Sequence, residues 1–159
     1  MTPEDLKSLF DFLESTPELI RSLTTTLTVE ELRWKPATGE FSFLEHICHL
    51  RDIEQEGYRV RIEKLLNEAQ PFLPDIDGDK LAQERNYNSQ NLELALNEFS
   101  QARKQNVRAI SDLSADQLNR SGMFENVGAI TLERLLSMMC EHDHEHLREI
   151  GRASCRERV

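Results

Sequence analysis

The sequence TLERLLSMMCEHDHEHLREI (residues 131–150) carries the clearest pattern in the chain. Its apolar residues recur at steps of three and four, which is the spacing of one face of an α-helix. They are Leu132, Leu135, Leu136, Met139, Leu147 and Ile150. Thr131 is suited to cap the start of the helix. The stretch is therefore predicted to be an amphipathic helix packed against a core.

Two histidines lie on the apolar face of this predicted helix. His142 follows Met139 by three residues and precedes His146 by four, so both imidazoles point inward. A lone inward histidine is more often a core residue, but two of them one turn apart can bind one metal ion. The two histidines of an HExxH helix do so, although the intervening residues differ here. His144 is predicted to face water on the opposite side.

Composition limits the classes of function. A chain of 159 residues is predicted to form one domain, and a net charge of -10 without a basic stripe argues against nucleic-acid binding. No apolar run is long enough to span a membrane, and the acidic N-terminus does not resemble a signal peptide. We therefore expect a cytoplasmic protein with reduced cysteines and no membrane partner.

Three further amphipathic stretches accompany the 131–150 helix. They cover residues 2–25, 42–68 and 89–110, and Pro17 is expected either to kink the first or to end it at Ser15. Capping signals at Thr28 and Ser114 predict short extra helical turns. Loops are expected at 70–79 and in the connection 121–130. The predicted fold class is an all-α four-helix bundle.

The last nine residues, GRASCRERV (151–159), break the pattern. The apolar period stops, and the charge changes from acidic to basic. The stretch also resembles translated sequencing-adapter DNA. We therefore predict a single helical domain over 1–150 and a non-native read-through tail over 151–159.

A useful metal site needs a third ligand, and the second helix offers two candidates. His46 and His49 both lie in the segment EHICHLRDIE. On a helical wheel His46 falls slightly nearer the centre of the apolar stripe than His49. The residues alone leave the choice open.

Two motifs at opposite ends of the chain resemble those of the DinB/YfiT-like family of small helical metalloproteins. The first comprises Ser42, Glu45 and His49-Leu50, and the second comprises His142-Asp143 and His146-Leu147. The resemblance extends over roughly residues 6–150. It implies a four-helix bundle that holds a divalent ion, nickel or zinc, on His49, His142 and His146. In one departure from the family pattern, Phe41 stands where a tryptophan usually precedes the capping serine.

Several polar residues near these histidines have two interpretations. Glu45 is expected either to cap its helix or to orient a ligand histidine, and Asp143 is expected to face solvent. Glu54 is expected to form an ion pair with Arg103 rather than to act as a general base. Cys48 and Cys140 are expected to be buried thiols, not ligands.

The leading functional hypothesis is a metal-dependent enzyme. Three neutral imidazoles leave the ion its full charge, which can activate water or a thiol. The resemblance implies either a hydrolase or a thiol S-transferase that acts on a small molecule, with a low-molecular-weight thiol as one option. The loops 70–88 and 121–130 are expected to rim the pocket. The alternative is a non-catalytic, metal-stapled bundle that serves as a binding or dimerisation module, and a homodimer is expected in either case.

Overall fold

Four long helical segments dominate the computed structural model, which describes residues 1–154. The helices are α1 (Pro3–Thr24), α2 (Val29–Arg33), α3 (Phe43–Asp52), α4 (Arg59–Asn67), α5 (Gly78–Glu84), α6 (Leu92–Ile110), α7 (Ala115–Leu118) and α8 (Leu132–Ser154). A π-helical turn, Ile53–Tyr58, joins α3 and α4 into one continuous segment. This segment packs on α6 and α8, and α1 packs on the same two helices, so the predicted four-helix bundle with short additional helices is confirmed.

Side-chain caps start the long helices. Thr2 and Ser42 each form a capping box, in which the hydroxyl accepts from a backbone N–H three residues on and the acid at that position accepts in return. Asn91 caps α6, so this helix begins a few residues later than the predicted start at Ser89. The difference arises because Tyr87–Ser89 forms a separate 3₁₀ turn.

Pro17 lies inside α1 without ending it. The helix runs through to Thr24, so the expectation that it ends at Ser15 is wrong. Proline has no N–H, which leaves the carbonyl of Leu13, four residues earlier, without its helical donor. The Arg103 guanidinium of α6 donates to this carbonyl from Nη1 over 2.9 Å. A side chain from another helix thus satisfies the group that the proline frees.

A small sheet closes the connections between the helices. β1 (Phe72–Leu73) pairs in parallel with β2 (Ser121–Phe124), and β2 pairs antiparallel with β3 (Gly128–Thr131). The β2–β3 turn places Asn126 and Gly128 at positive φ, of 60° and 105°. The sequence predicted only loops here, since strands of two to four residues are too short to show alternation.

The core consists of the predicted apolar faces. Phe43, Ile47, Leu50, Tyr58, Ile62 and Leu65 are all buried, as are Leu132, Leu135, Leu136 and Met139. Within residues 1–154, no helix is long and apolar enough to cross a membrane.

The C-terminal helix extends slightly beyond the predicted domain. α8 continues past residue 150 to Ser154, and 155–159 lie outside the described residues. The assignment of 1–150 as one domain and of 151–159 as a non-native tail stays a prediction.

Candidate metal centre

Three imidazoles from two helices converge inside the bundle. His49 comes from α3, and His142 and His146 come from successive turns of α8. The Nε2 atom of His142 lies 3.2 Å from Nε2 of His49 and 3.1 Å from Nε2 of His146. The structure therefore brings together the three residues that the family resemblance selected, each presenting the same ring nitrogen.

These separations suit a shared metal ion. Nitrogen ligands about 2.0–2.1 Å from zinc lie about 3.3 Å apart in a tetrahedral site and about 3.0 Å apart in an octahedral one. The observed distances fall between these two values. Imidazole nitrogens suit zinc and nickel alike, so the donor set fits a divalent ion of either kind.

Burial keeps the three rings neutral. Desolvation lowers the pKa of His49 to about 4 and that of His142 to about 3, with the nearby His49 adding to the effect on His142. Desolvation and the neighbouring imidazoles lower the pKa of His146 further still. At neutral pH the rings are therefore unprotonated and able to offer lone pairs to a cation.

The Nδ1 atoms are the outer nitrogens of the three rings, and they differ in their hydrogen-bond partners. The buried Nδ1 atoms of His49 and His142 have no hydrogen-bond partner in the described part of the chain. Nδ1 of His146 lies 2.9 Å from Nδ1 of His46 and 3.3 Å from Oε2 of Glu149. A carboxylate behind a ligand histidine usually accepts a hydrogen bond from its Nδ1–H. With the proton held on Nδ1 of His146, the Nε2 lone pair is free for an ion.

His46, the other candidate for third ligand, lies on this outer side of His146. Desolvation, and then the nearby His49, lower its pKa to about 4. His46, His146 and Glu149 also lie close enough to form a donor set of their own. The 2.9 Å contact between the two Nδ1 atoms is a normal hydrogen-bond length. His46 therefore lies outside the Nε2 triad and contacts the outer nitrogen of His146.

Gly78, the first residue of α5, packs directly against the His49 ring. A Cβ at this position would lie 2.5 Å from Cε1 and 2.8 Å from Nδ1 of His49. These distances are well inside van der Waals contact, so only glycine leaves the ring in place. Sequence reasoning missed this role because a glycine in a loop ordinarily indicates a turn.

Two cavities reach the imidazoles. The larger, of about 570 Å³, is lined by His46, His49 and His146 together with Phe41 and the 76–79 segment. The second, of about 380 Å³, is lined by His49 and His142 with Tyr58, Arg61 and Phe124. The 70–88 loop, which was expected to rim the pocket, thus lines both cavities, and the 121–130 connection lines the second. Phe41 keeps an aromatic wall 5.5 Å from the rings of His46 and His49.

The acids near the histidines have structural partners. Glu45 accepts from the backbone N–H of Ser42 over 2.8 Å and contacts Lys35, which confirms the capping interpretation. The expected ion pair of Glu54 with Arg103 is also confirmed, at 2.9 Å.

The expectation for Asp143 is wrong. Its side chain is fully buried, and both carboxylate oxygens accept from the Arg103 guanidinium, at 2.6 and 3.0 Å. The partner lies 40 residues away on α6, which is why local polarity suggested a solvent-facing residue. The carboxylate therefore stabilises the bundle and does not orient His142.

The cysteines play no part in the triad. Burial raises the pKa of both the Cys48 and the Cys140 thiols to about 12, so they stay protonated. Cys48 is fully buried and Cys140 is half-buried, as expected of thiols that help fill a core. Cys155 lies outside the described residues.

Comparisons with known proteins agree with this architecture. A protein of Oceanobacillus iheyensis, named as a candidate metal-dependent hydrolase, is 23% identical over 138 residues, which cover 87% of this chain and 79% of that protein. The solved structure of YfiT from Bacillus subtilis, described as a probable metal-dependent hydrolase with an unusual four-helix bundle topology, superposes with a TM-score of 0.89. It is 19% identical, and the match covers 97% of this chain and 88% of YfiT. The sequence profile of the DinB superfamily matches residues 13–150, and the chain therefore belongs to that superfamily.

Proposed function

We propose that this protein is a metal-dependent hydrolase of a small molecule, with a divalent ion, nickel or zinc, held by His49, His142 and His146. The observation that carries the proposal is the convergence of three neutral Nε2 atoms at 3.1–3.2 Å beside an open cavity. The names of the similar proteins from O. iheyensis and B. subtilis favour hydrolysis over thiol transfer.

The side chains around the triad have distinct tasks in this proposal. When bound, the ion supplies a Lewis acid that activates water for attack on a substrate. Gly78 keeps the His49 ring in position, and Glu149 and His46 fix the orientation of His146. Phe41 provides an apolar wall, and since it has no indole N–H it donates no hydrogen bond to the substrate.

The first test is metal content. Protein purified without a histidine tag is expected to contain about one nickel or zinc ion per chain by elemental analysis. His49→Ala, His142→Ala and His146→Ala should each lose most of the ion. His144→Ala is the matched control, because this imidazole is on the same helix but is exposed and stacked on Phe12. Equal metal content in all four variants would contradict the proposed ligand set.

The second test separates the reaction classes. Zinc-loaded protein is expected to hydrolyse activated esters, and the His142→Ala variant to lose this activity. A cobalt-substituted sample whose spectrum responds to a small thiol, with no ester hydrolysis, would favour the thiol S-transferase. If the metal raises the melting temperature but the protein neither hydrolyses esters nor binds thiols, the metal-stapled binding module is the better description.

A further inference from the structure

The larger cavity beside the imidazoles is strongly acidic. Six charged side chains line it, and five of them are acids: Glu40, Asp77, Asp79, Glu145 and Glu149, against the single base Arg152. The whole chain has 29 acidic and 19 basic residues, so the acid excess at this cavity exceeds that of the composition. The lining therefore carries a concentrated negative charge.

Four of these five acids have no basic partner in the part of the chain that the structure describes. Among residues 1–154, Glu40, Asp77, Asp79 and Glu145 form no ion pair with a lysine or an arginine. The second cavity differs, because Arg61 lies 3.4 Å from Asp75, and Arg134 lies 2.6 Å from Glu141. The unpaired negative charge is thus concentrated at one of the two approaches to the imidazoles, and of the four acids Glu145 also lines the other.

The same cavity also contains two buried histidines whose ring nitrogens are suited to bind a ligand. His49 and His146 line it, and their side chains are more than nine-tenths and about nine-tenths buried. Their Nε2 atoms meet only other imidazole nitrogens, and Nδ1 of His49 has no partner in the described structure. Pro36, Phe41 and Ile76 add apolar surface beside the acids. A molecule bound here would contact both the carboxylates and the imidazoles.

We infer that the substrate is a small organic cation, an amine or quaternary ammonium compound. Its positive group faces Glu40, Asp77 and Asp79, its carbon skeleton contacts the apolar wall, and its reacting group lies at the imidazoles. Unpaired carboxylates in a partly enclosed cavity attract cations and repel anions over several ångströms. The inference rests on the proposed function, since it names the substrate class of the same site.

Binding to the zinc-loaded full chain tests the charge preference directly. Choline and 3,3-dimethylbutan-1-ol have the same shape and differ by one positive charge. Choline is expected to bind about tenfold more tightly at low ionic strength, and the ratio should shrink in salt because exposed carboxylates are screened. Equal affinities of the two probes at low ionic strength would overturn the inference.

Two double variants locate the effect. Glu40→Gln with Asp79→Asn should weaken choline binding by about three- to tenfold and leave binding of the neutral alcohol unchanged. Glu14→Gln with Asp112→Asn is the control, because it removes the same charge from exposed positions outside the cavity. If both double variants weaken choline binding equally, the preference comes from the net charge of the protein and the inference fails.

Turnover distinguishes this inference from the proposed function. The probes are the 4-nitrophenyl esters of 4-(trimethylammonio)butanoate, of its neutral isostere 5,5-dimethylhexanoate and of glutarate. A higher kcat/KM for the cationic ester than for the neutral and the anionic one supports both proposals. Equal turnover of all three overturns the cation preference and keeps the hydrolase. Tighter choline binding without turnover of any ester overturns the hydrolase and keeps a cation-binding cavity.

Discussion

The bundle buries two polar clusters, and they differ in how completely their atoms are satisfied. In the first, Arg103 contacts Glu54, Asp143 and the Leu13 carbonyl, and so ties together all four long helical segments. In the second, His49, His142 and His146 direct Nε2 atoms at one another, and two of the three Nδ1 atoms lack partners within residues 1–154. A cluster whose charges are paired holds helices together, whereas one whose imidazole nitrogens lack protein partners is suited to a ligand.

The Arg103 cluster illustrates how much pairing a buried charge requires. Nη1 and Nη2 both donate to Asp143, and Nη2 also donates to Glu54 over 2.9 Å. Nε lies 2.9 Å from the other Glu54 oxygen, in ion-pair contact although outside hydrogen-bond geometry. Asn106 donates to both the side chain and the carbonyl of Glu54. Removal of one member therefore leaves a charge without compensation.

The largest expected effect is the loss of stability when the Arg103 cluster is broken. Arg103→Met should destabilise the metal-free protein by about 3–5 kcal/mol, because Glu54 and Asp143 stay buried without their counter-charge. Urea unfolding measures the change. Arg134→Met is the control, since its pair with Glu141 is exposed and contributes about 0–1 kcal/mol. Similar losses in the two variants would show that the buried cluster is not the main tie between the helices.

The next largest effect is on zinc binding by the cluster of His49, His142 and His146. Gly78→Ala should lower zinc affinity by about 100-fold, or about 2.8 kcal/mol, because the new methyl group displaces the His49 ring. The stability of the metal-free protein should change little, as a side chain can turn away. Gly151→Ala is the control, since a Cβ there lies within 4 Å of no described atom beyond its own stretch of helix. Competition with a chromogenic chelator measures both affinities, and unchanged binding in Gly78→Ala would contradict the packing argument.

Acid should destabilise the metal-free protein through the imidazoles. Burial lowers the pKa of His46 and His49 to about 4 and of His142 to about 3, whereas the unfolded chain binds these protons near pH 6.5. The unfolded state therefore binds more protons between about pH 4 and 6.5, and stability must fall as the pH drops through this range. From pH 7 to 6 we expect a loss of about 2 kcal/mol.

Urea unfolding at several pH values measures this slope. The slope of stability against pH reports how many more protons the unfolded state binds than the folded state. His142→Leu removes one proton acceptor and should reduce this number by up to one. Excess zinc should move the loss of stability to lower pH, because the ion competes with protons for the same nitrogens. A slope that is the same in the wild type and in His142→Leu would show that other groups are responsible.

The smallest expected effect concerns the contact between Glu149 and the outer nitrogen of His146. Glu149→Gln should reduce zinc affinity by about tenfold, or about 1.4 kcal/mol, since the amide holds the His146 Nδ1–H less strongly than a carboxylate. Glu145→Gln is the matched control, because it removes the same charge from the same cavity, and the Glu145 carboxylate forms no ion pair with His146 in the described structure. If the two substitutions weaken zinc binding equally, general cavity charge, and not the contact with His146, explains the effect.

The sequence predicts the bundle well because capping boxes and apolar periods are local signals. Its ambiguity between His46 and His49 has a physical cause: every residue of α3 is buried, so a helical wheel cannot identify an inward face. The true role of Asp143 depends on a guanidinium 40 residues earlier, which no local pattern reports. The close approach of Gly78 to His49 likewise exists only after α5 packs on α3.

The proline in α1 links the formation of this helix to the arrival of α6. Until Arg103 reaches it, the Leu13 carbonyl lacks the amide donor of a regular helix, so α1 as a separate peptide would lack one of its hydrogen bonds. Since most of a helix's stability in a protein comes from packing of its amphipathic face, the N-terminal segment should gain full helicity only in the assembled domain. Local helix formation and global folding are in this way made a single cooperative event.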